Sequence, residues 1–183
     1  LQTLAQMLEN PAGEKATTAA LAARLSVSEA ALYRHFKGKA EMFEGLIEFI
    51  EQTLFGLINK ITGEEKSGLR QLEAMMGVML AFAQKNRGMT RVLVGEALVN
   101  EDDRLQTRIN QLHDRLEAAL KQALRFGVSQ QEIAQEVDIA AQANLLMSFV
   151  TGRWHQFAKS GFKRDPVELW PKQWRQLMEG VIA

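Results

Sequence analysis

Tyr33, Arg34, His35, Lys37 and Lys39 place a phenol, an imidazole and three cations within one short stretch. Ammonium and guanidinium groups neutralise phosphate oxygens, and phenol and imidazole groups donate hydrogen bonds to them. Such a cluster suits a nucleic-acid backbone, gripped in a salt-dependent way. Catalytic chemistry is poorly supplied. His35, His113 and His155 stand far apart, with no pair at metal-ligand spacing. There is no glycine-rich phosphate loop and no Gly-x-Ser-x-Gly elbow. With no cysteine, disulfides, thiolate metal sites and cysteine nucleophiles are excluded, which suits a reducing compartment. The densest carboxylate group, Glu101-Asp102-Asp103, falls at an expected helix start, where the helix dipole favours acids in any case. The expectation is a non-enzyme with no metal and no cofactor.

The elements that must position the cluster read as helices throughout, so the fold class is all-α, with about nine helices. Leu1 to Glu9 forms the first helix, closed by Asn10-Pro11-Ala12-Gly13. Leu1 lies in a helix already under way, so preceding sequence is expected. Thr17 caps a second helix that turns Leu21, Ala22 and Leu25 inward, and Ser28 caps a third with Leu32 and Phe36 on its buried edge. Two short helices joined by Ser26-Val27-Ser28 fit a helix–turn–helix, whose second helix enters the DNA major groove. Ala30 and Ala31 are small enough to approach base edges, while Thr17, Thr18, Ser28 and the cationic cluster face the backbone. Lys39, at the start of helix four, joins that helix's amides as a phosphate clamp.

Net charge is zero, with 22 cations against 22 anions, but the signs are segregated. Residues 10–40 carry five cations against Glu14 and Glu29; residues 41–66 carry six glutamates against Lys60 and Lys66. The expected division is a DNA-binding head, 1–40, and a helical body, 41–183, joined by a long helix over about 39–61. Further helices are expected over about 69–85, after Thr90, over about 103–126 and over about 138–159. The seam Leu105, Ile109, Leu112, Leu116, Ala119 and Ala123 marks close helix packing. Ser129-Gln130-Gln131-Glu132 and Asp165-Pro166-Val167-Glu168 read as capping boxes. The final helix runs to the C-terminus and restarts at Pro171.

Met75, Met76, Met79 and Phe82 form a soft stripe, either core or the lining of an apolar ligand cavity, and core is favoured. Trp154, Trp170 and Trp174 read as an interface.

The segment 17–39 resembles the DNA-binding motif of TetR-type regulators, which centres on Val-Ser-x-x-x-Leu-Tyr-x-His-Phe. Ser26 stands where that motif usually has glycine, so a left-handed serine is expected. Residues 27–36, 46–51, 86–91 and 103–112 together resemble the nucleoid occlusion factors of that superfamily. That resemblance implies a homodimer on palindromic double-stranded DNA, located in the cytoplasm on the nucleoid. The dimer it implies is expected to form through Leu146, Phe149, Val150, Trp170, Trp174 and Leu177 of the last two long helices. It also implies that the DNA-bound form opposes assembly of the division protein FtsZ, with no small-molecule ligand and no membrane required. The FtsZ surface it implies comprises Phe49, Leu57, Val78, Ala81, Lys85, Asn86 and Met89. Phe49 and Asn86 match that surface as they stand, and Lys85 replaces an arginine. Leu57, Val78 and Ala81 depart from it. The alternative is a ligand-responsive TetR-type repressor with a cavity near Met75, Met79 and Phe82.

Overall fold

The computed structural model describes residues 1–10 and 15–183; part of the Asn10–Gly13 breaker lies outside them. Nine α-helices occur among the described residues: α1 Gln2–Leu8, α2 Thr18–Arg24, α3 Glu29–Tyr33, α4 Lys39–Glu64, α5 Gly68–Lys85, α6 Arg87–Leu93, α7 Asp103–Ser129, α8 Ile139–Lys159 and α9 Trp170–Leu177. A 3-10 turn, Glu96–Leu98, links α6 to α7. None of the described helices is long and apolar enough to cross a membrane.

The long connector carries the head. Its 26 residues extend about 39 Å at ~1.5 Å per residue, and Met42, Phe43, Leu46, Ile47, Ile50, Leu54 and Ile58 bury one face. α5 lies at the centre of the body, touching α4, α7 and α8. Leu72, Met75, Met76, Met79 and Leu80 are sealed from solvent there, and Phe82 is buried beside them. The methionine stripe is therefore core. The clefts on the surface are lined by other side chains. Trp154 is core as well, against the interface reading, with its indole N–H donating to the Met79 carbonyl at 3.0 Å. Along α7 the buried seam is Leu105, Ile109, Leu112, Leu116, Leu120 and Ala123. Ala119 lies only partly under it.

Several expected boundaries move, for reasons local pattern does not carry. Ser129-Gln130-Gln131-Glu132 starts no helix; it closes α7 and caps another. The Gln130 amide oxygen accepts the Gly68 N–H and the Glu132 carboxylate accepts that of Leu69, both at 3.0 Å. These are unpaired donors of the first turn of α5. The approach needs Gly68: a Cβ there would stand 2.2 Å from the Gly127 nitrogen. α6 begins at Arg87, and Thr90 lies inside it, its hydroxyl donating to the Ala83 and Asn86 carbonyls. Asp165 caps a turn, accepting the Val167 N–H, rather than a helix. α9 starts at Trp170 with Pro171 in its first turn, as the restart requires, but ends at Leu177. Beyond it the chain turns so that Ile182 bridges Ile133, and Ala183 donates to the Glu132 carbonyl.

Candidate nucleic-acid interface

The head is fixed by its caps. The Thr17 and Ser28 hydroxyls accept the Ala20 and Ala31 N–H groups, each at 3.1 Å. Between the helices, Val27 N–H donates to Ala22 and Ser26 N–H to Ala23, both at 3.1 Å. This bonding pattern closes a helix around a left-handed residue. Ser26 is that residue, at φ 55, a conformation costing a non-glycine roughly 1 kcal/mol. The same reversal corrects one side chain. Leu25 follows the last turn of α2 and is 43% exposed, while Ala20, Leu21 and Ala22 face inward.

α3 spans five residues, shorter than the sequence suggests; beyond it the His35 and Phe36 N–H groups still bond to the Leu32 carbonyl. Leu32 anchors it from below. Ala30, Tyr33, Arg34, His35 and Lys37 are exposed and Ala31 is half-buried, a methyl-surfaced helix rimmed by cations and rings. A relay crosses the two helices: the Tyr33 hydroxyl donates to Thr18 at 3.4 Å, and the Thr18 hydroxyl donates to Glu29 at 3.1 Å. At the start of α4 the Glu41 carboxylate accepts the Lys37 N–H, and Lys39 is ion-paired with Glu101. Residue spacing gives no sign of that second contact, whose partners are 62 positions apart.

The head is clamped to the body at α1. Gly88 of α6 lies so close that a Cβ would stand 1.9 Å from the Ala5 carbonyl oxygen. Arg91 donates to the Leu8 carbonyl at 2.8 Å while its other edge pairs with Glu96 at 3.0 Å. Along α4, Glu44 pairs with Arg104 and Glu51 with Arg108. The hydrogen bond to Glu51 raises the Arg108 pKa further above the ordinary arginine range.

The two other surfaces fare unequally. On α4 and α5, Phe49 and Leu57 are 45% and 40% exposed, Lys85 is exposed, and Val78 and Ala81 are half-buried. Asn86 is half-committed to capping, its amide donating to the Phe82 carbonyl at 2.8 Å. Met89 is buried and lines a cleft beneath α1 with Ala5 and Gln6, so it offers little to a partner. On α8, Leu146 and Val150 have no exposed area and belong to the protomer's own core, which corrects their assignment as contacts. Trp174 is largely buried as well, while Phe149, Trp170 and Leu177 keep part of their surface. Leu145, one residue along and 51% exposed, is the outward side chain that helical spacing alone did not single out.

Fold and head together define an all-α regulator that binds DNA through a helix–turn–helix. Residues 13–46 match the profile described as "Bacterial regulatory proteins, tetR family", and residues 66–181 an SlmA-like profile described as "Tetracyclin repressor-like, C-terminal domain". Nucleoid occlusion factor SlmA of Idiomarina loihiensis is 49% identical over 183 residues, all of this chain and 93% of the relative. That of Alteromonas mediterranea is 51% identical over 174 residues, 95% and 89% of the two chains. The chain belongs to the SlmA nucleoid occlusion factors of the tetR family. Solved structures share the fold at lower identity. PfmR of Thermus thermophilus is 22% identical at TM-score 0.79 over 98% of each chain. FadR of Bacillus subtilis, in complex with stearoyl-CoA, is 16% identical at TM-score 0.75 over 98% of each.

Proposed function

We propose that this chain, as a homodimer, holds palindromic sites on the chromosome and, once bound, blocks FtsZ assembly over the nucleoid. The full-length identity near one half with SlmA proteins is the observation that carries this reading. The geometry supports a division of labour between a head, residues 1–40, and a body, 41–183. Ala30 and Ala31 meet base edges. Thr17, Thr18, Ser28, Tyr33, Arg34, His35, Lys37 and Lys39 hold the backbone and fix the register. Two-fold DNA calls for a two-fold protein with recognition helices about one DNA turn, ~34 Å, apart. The outward face of α8, with Leu145 and Phe149 beside Gln173 and Leu177 of α9, is the surface for that contact. It has the apolar centre and polar rim of an interface.

The FtsZ contact falls on the exposed flank of α4 and α5, at Phe49, Leu57 and Lys85. An acidic segment of the partner suits Lys85, though lysine offers a point charge where arginine offers a fork. The test is Lys85→Glu with Asn86→Ala, read by anisotropy with the duplex that the parent retains and by FtsZ sedimentation. DNA affinity stays within about twofold of the parent, as for surface changes remote from the duplex, and the effect on polymers is lost. A double variant that still disrupts polymers at parental concentrations moves the contact off the end of α5.

A further inference from the structure

Charged pairs climb the seam between α4 and α7 like rungs. Glu51–Arg108 and Glu44–Arg104, at 2.8 and 3.1 Å, both put the acid on α4 and the arginine on α7. The rung nearest the head reverses this order: Lys39 is on α4, and Glu101 is just ahead of α7. Helix electrostatics oppose the reversal, because a cation in the first turn meets the positive end of the dipole. α4 itself gains nothing from Lys39 there, and its N-cap, Gly38, supplies no side-chain acceptor. Glu101 is delivered with some backbone cost, through Asn100 in a left-handed conformation at φ 67. The Lys39 side chain keeps 32% of its surface exposed and Glu101 17%, and both border an open cleft between head and body.

We infer that Glu101 sets the affinity for DNA by competing with a backbone phosphate for Lys39. This rests on reading Lys39 as a phosphate contact. In the free chain the carboxylate occupies the ammonium group. A phosphodiester reaching the amides at the start of α4 must displace the carboxylate from Lys39, exchanging one anion for another in a half-buried setting where salt screens weakly. A body residue outside the helix–turn–helix thus tempers the grip of the head.

The experiment measures anisotropy over a salt series with a labelled duplex that the parent chain enriches from a random-sequence pool. Glu101→Gln binds this duplex roughly two- to fivefold more tightly than the parent, the range of a partly exposed ion pair. Asp103→Asn makes the same charge change two residues on without touching Lys39, and leaves affinity unchanged. Lys39→Ala weakens binding to all sequences and lowers the salt slope by about one unit. Adding Glu101→Gln to Lys39→Ala brings no gain, and that non-additivity is the signature of competition. Glu101→Asp, charged but shorter, is the second variant and tightens binding in part. The inference is overturned if Glu101→Gln and Glu101→Asp melt like the parent yet bind no tighter. It is equally overturned if Asp103→Asn tightens binding as much, or if the gain survives without Lys39. A parent that enriches no duplex removes the DNA-binding reading itself.

Discussion

Replacing Gly88 with alanine tests whether the head is clamped to the body. The added Cβ would stand 1.9 Å from the Ala5 carbonyl oxygen, where real Cβ contacts do not fall under 3.0 Å. One helix must therefore retreat by about 1 Å, and overpacking of this kind costs about 1–3 kcal/mol. Retreat of α1 also stretches the bond from Arg91 to the Leu8 carbonyl, now 2.8 Å, adding about 1 kcal/mol. In a chain of this size each kcal/mol lowers the melting temperature by about 2–4 °C, so a loss of about 4–16 °C is expected. Circular dichroism melts measure it directly. Because the obstruction is a main-chain carbonyl, Ala5→Gly does not rescue the variant. α1 leads into the head, so DNA affinity falls together with stability. A melting temperature within about 2 °C of the parent, at unchanged DNA affinity, would refute the clamp.

Two other outcomes probe the body. Leu145→Glu places like charges near the two-fold axis of the proposed dimer without touching the protomer core. It weakens dimerisation by at least about thirtyfold, about 2 kcal/mol, in analytical ultracentrifugation, whereas Leu146→Ala lowers the melting temperature of the protomer instead. An unaltered dimer in Leu145→Glu would place the contact on another face. Burial lowers the pKa of His113 below 6.5, and its Nε2 is buried without a partner beside Trp154. The unfolded chain therefore takes up this proton first as pH falls. The stabilisation held above pH 6.5 is lost as pH drops through the lower folded value. Melting curves from about pH 8 to about pH 5 fall less steeply for His113→Asn than for the parent; identical slopes would remove His113 as the cause.

The sequence made legible whatever its neighbours in the chain decide. Thr17 and Ser28 cap the helices they precede, Ser26 takes the left-handed turn, and the α7 seam faces inward. Each is a matter of a few adjacent residues. Leu25 is turned outward by the local reversal at Ser26, but most of the misses share another cause, a partner distant in sequence. Gln130 and Glu132 have the spacing of a local cap, yet the amides they satisfy belong to Gly68 and Leu69. Lys39 has the sequence position of a phosphate ligand, and its pairing with Glu101 becomes visible only once α6 and α7 are in place. Leu145 and Leu146 are equally apolar, and a rotation of about 100° per residue decides which one is core. Among the described residues, Trp154 alone of the three tryptophans donates its N–H to a buried carbonyl, that of Met79.

The stitch at the far end of the body bears on the order in which a growing chain can fold. α5 leaves the ribosome early, but the amides of its first turn wait for Gln130 and Glu132, and the Glu132 carbonyl in turn receives the N–H of Ala183. α1 likewise waits for Gly88 and Arg91. α2 and α3 carry their own caps and pack on each other early in the chain. The first turn of the central helix is locked only once residues 130–183 have emerged, so the body completes its structure as one late cooperative step.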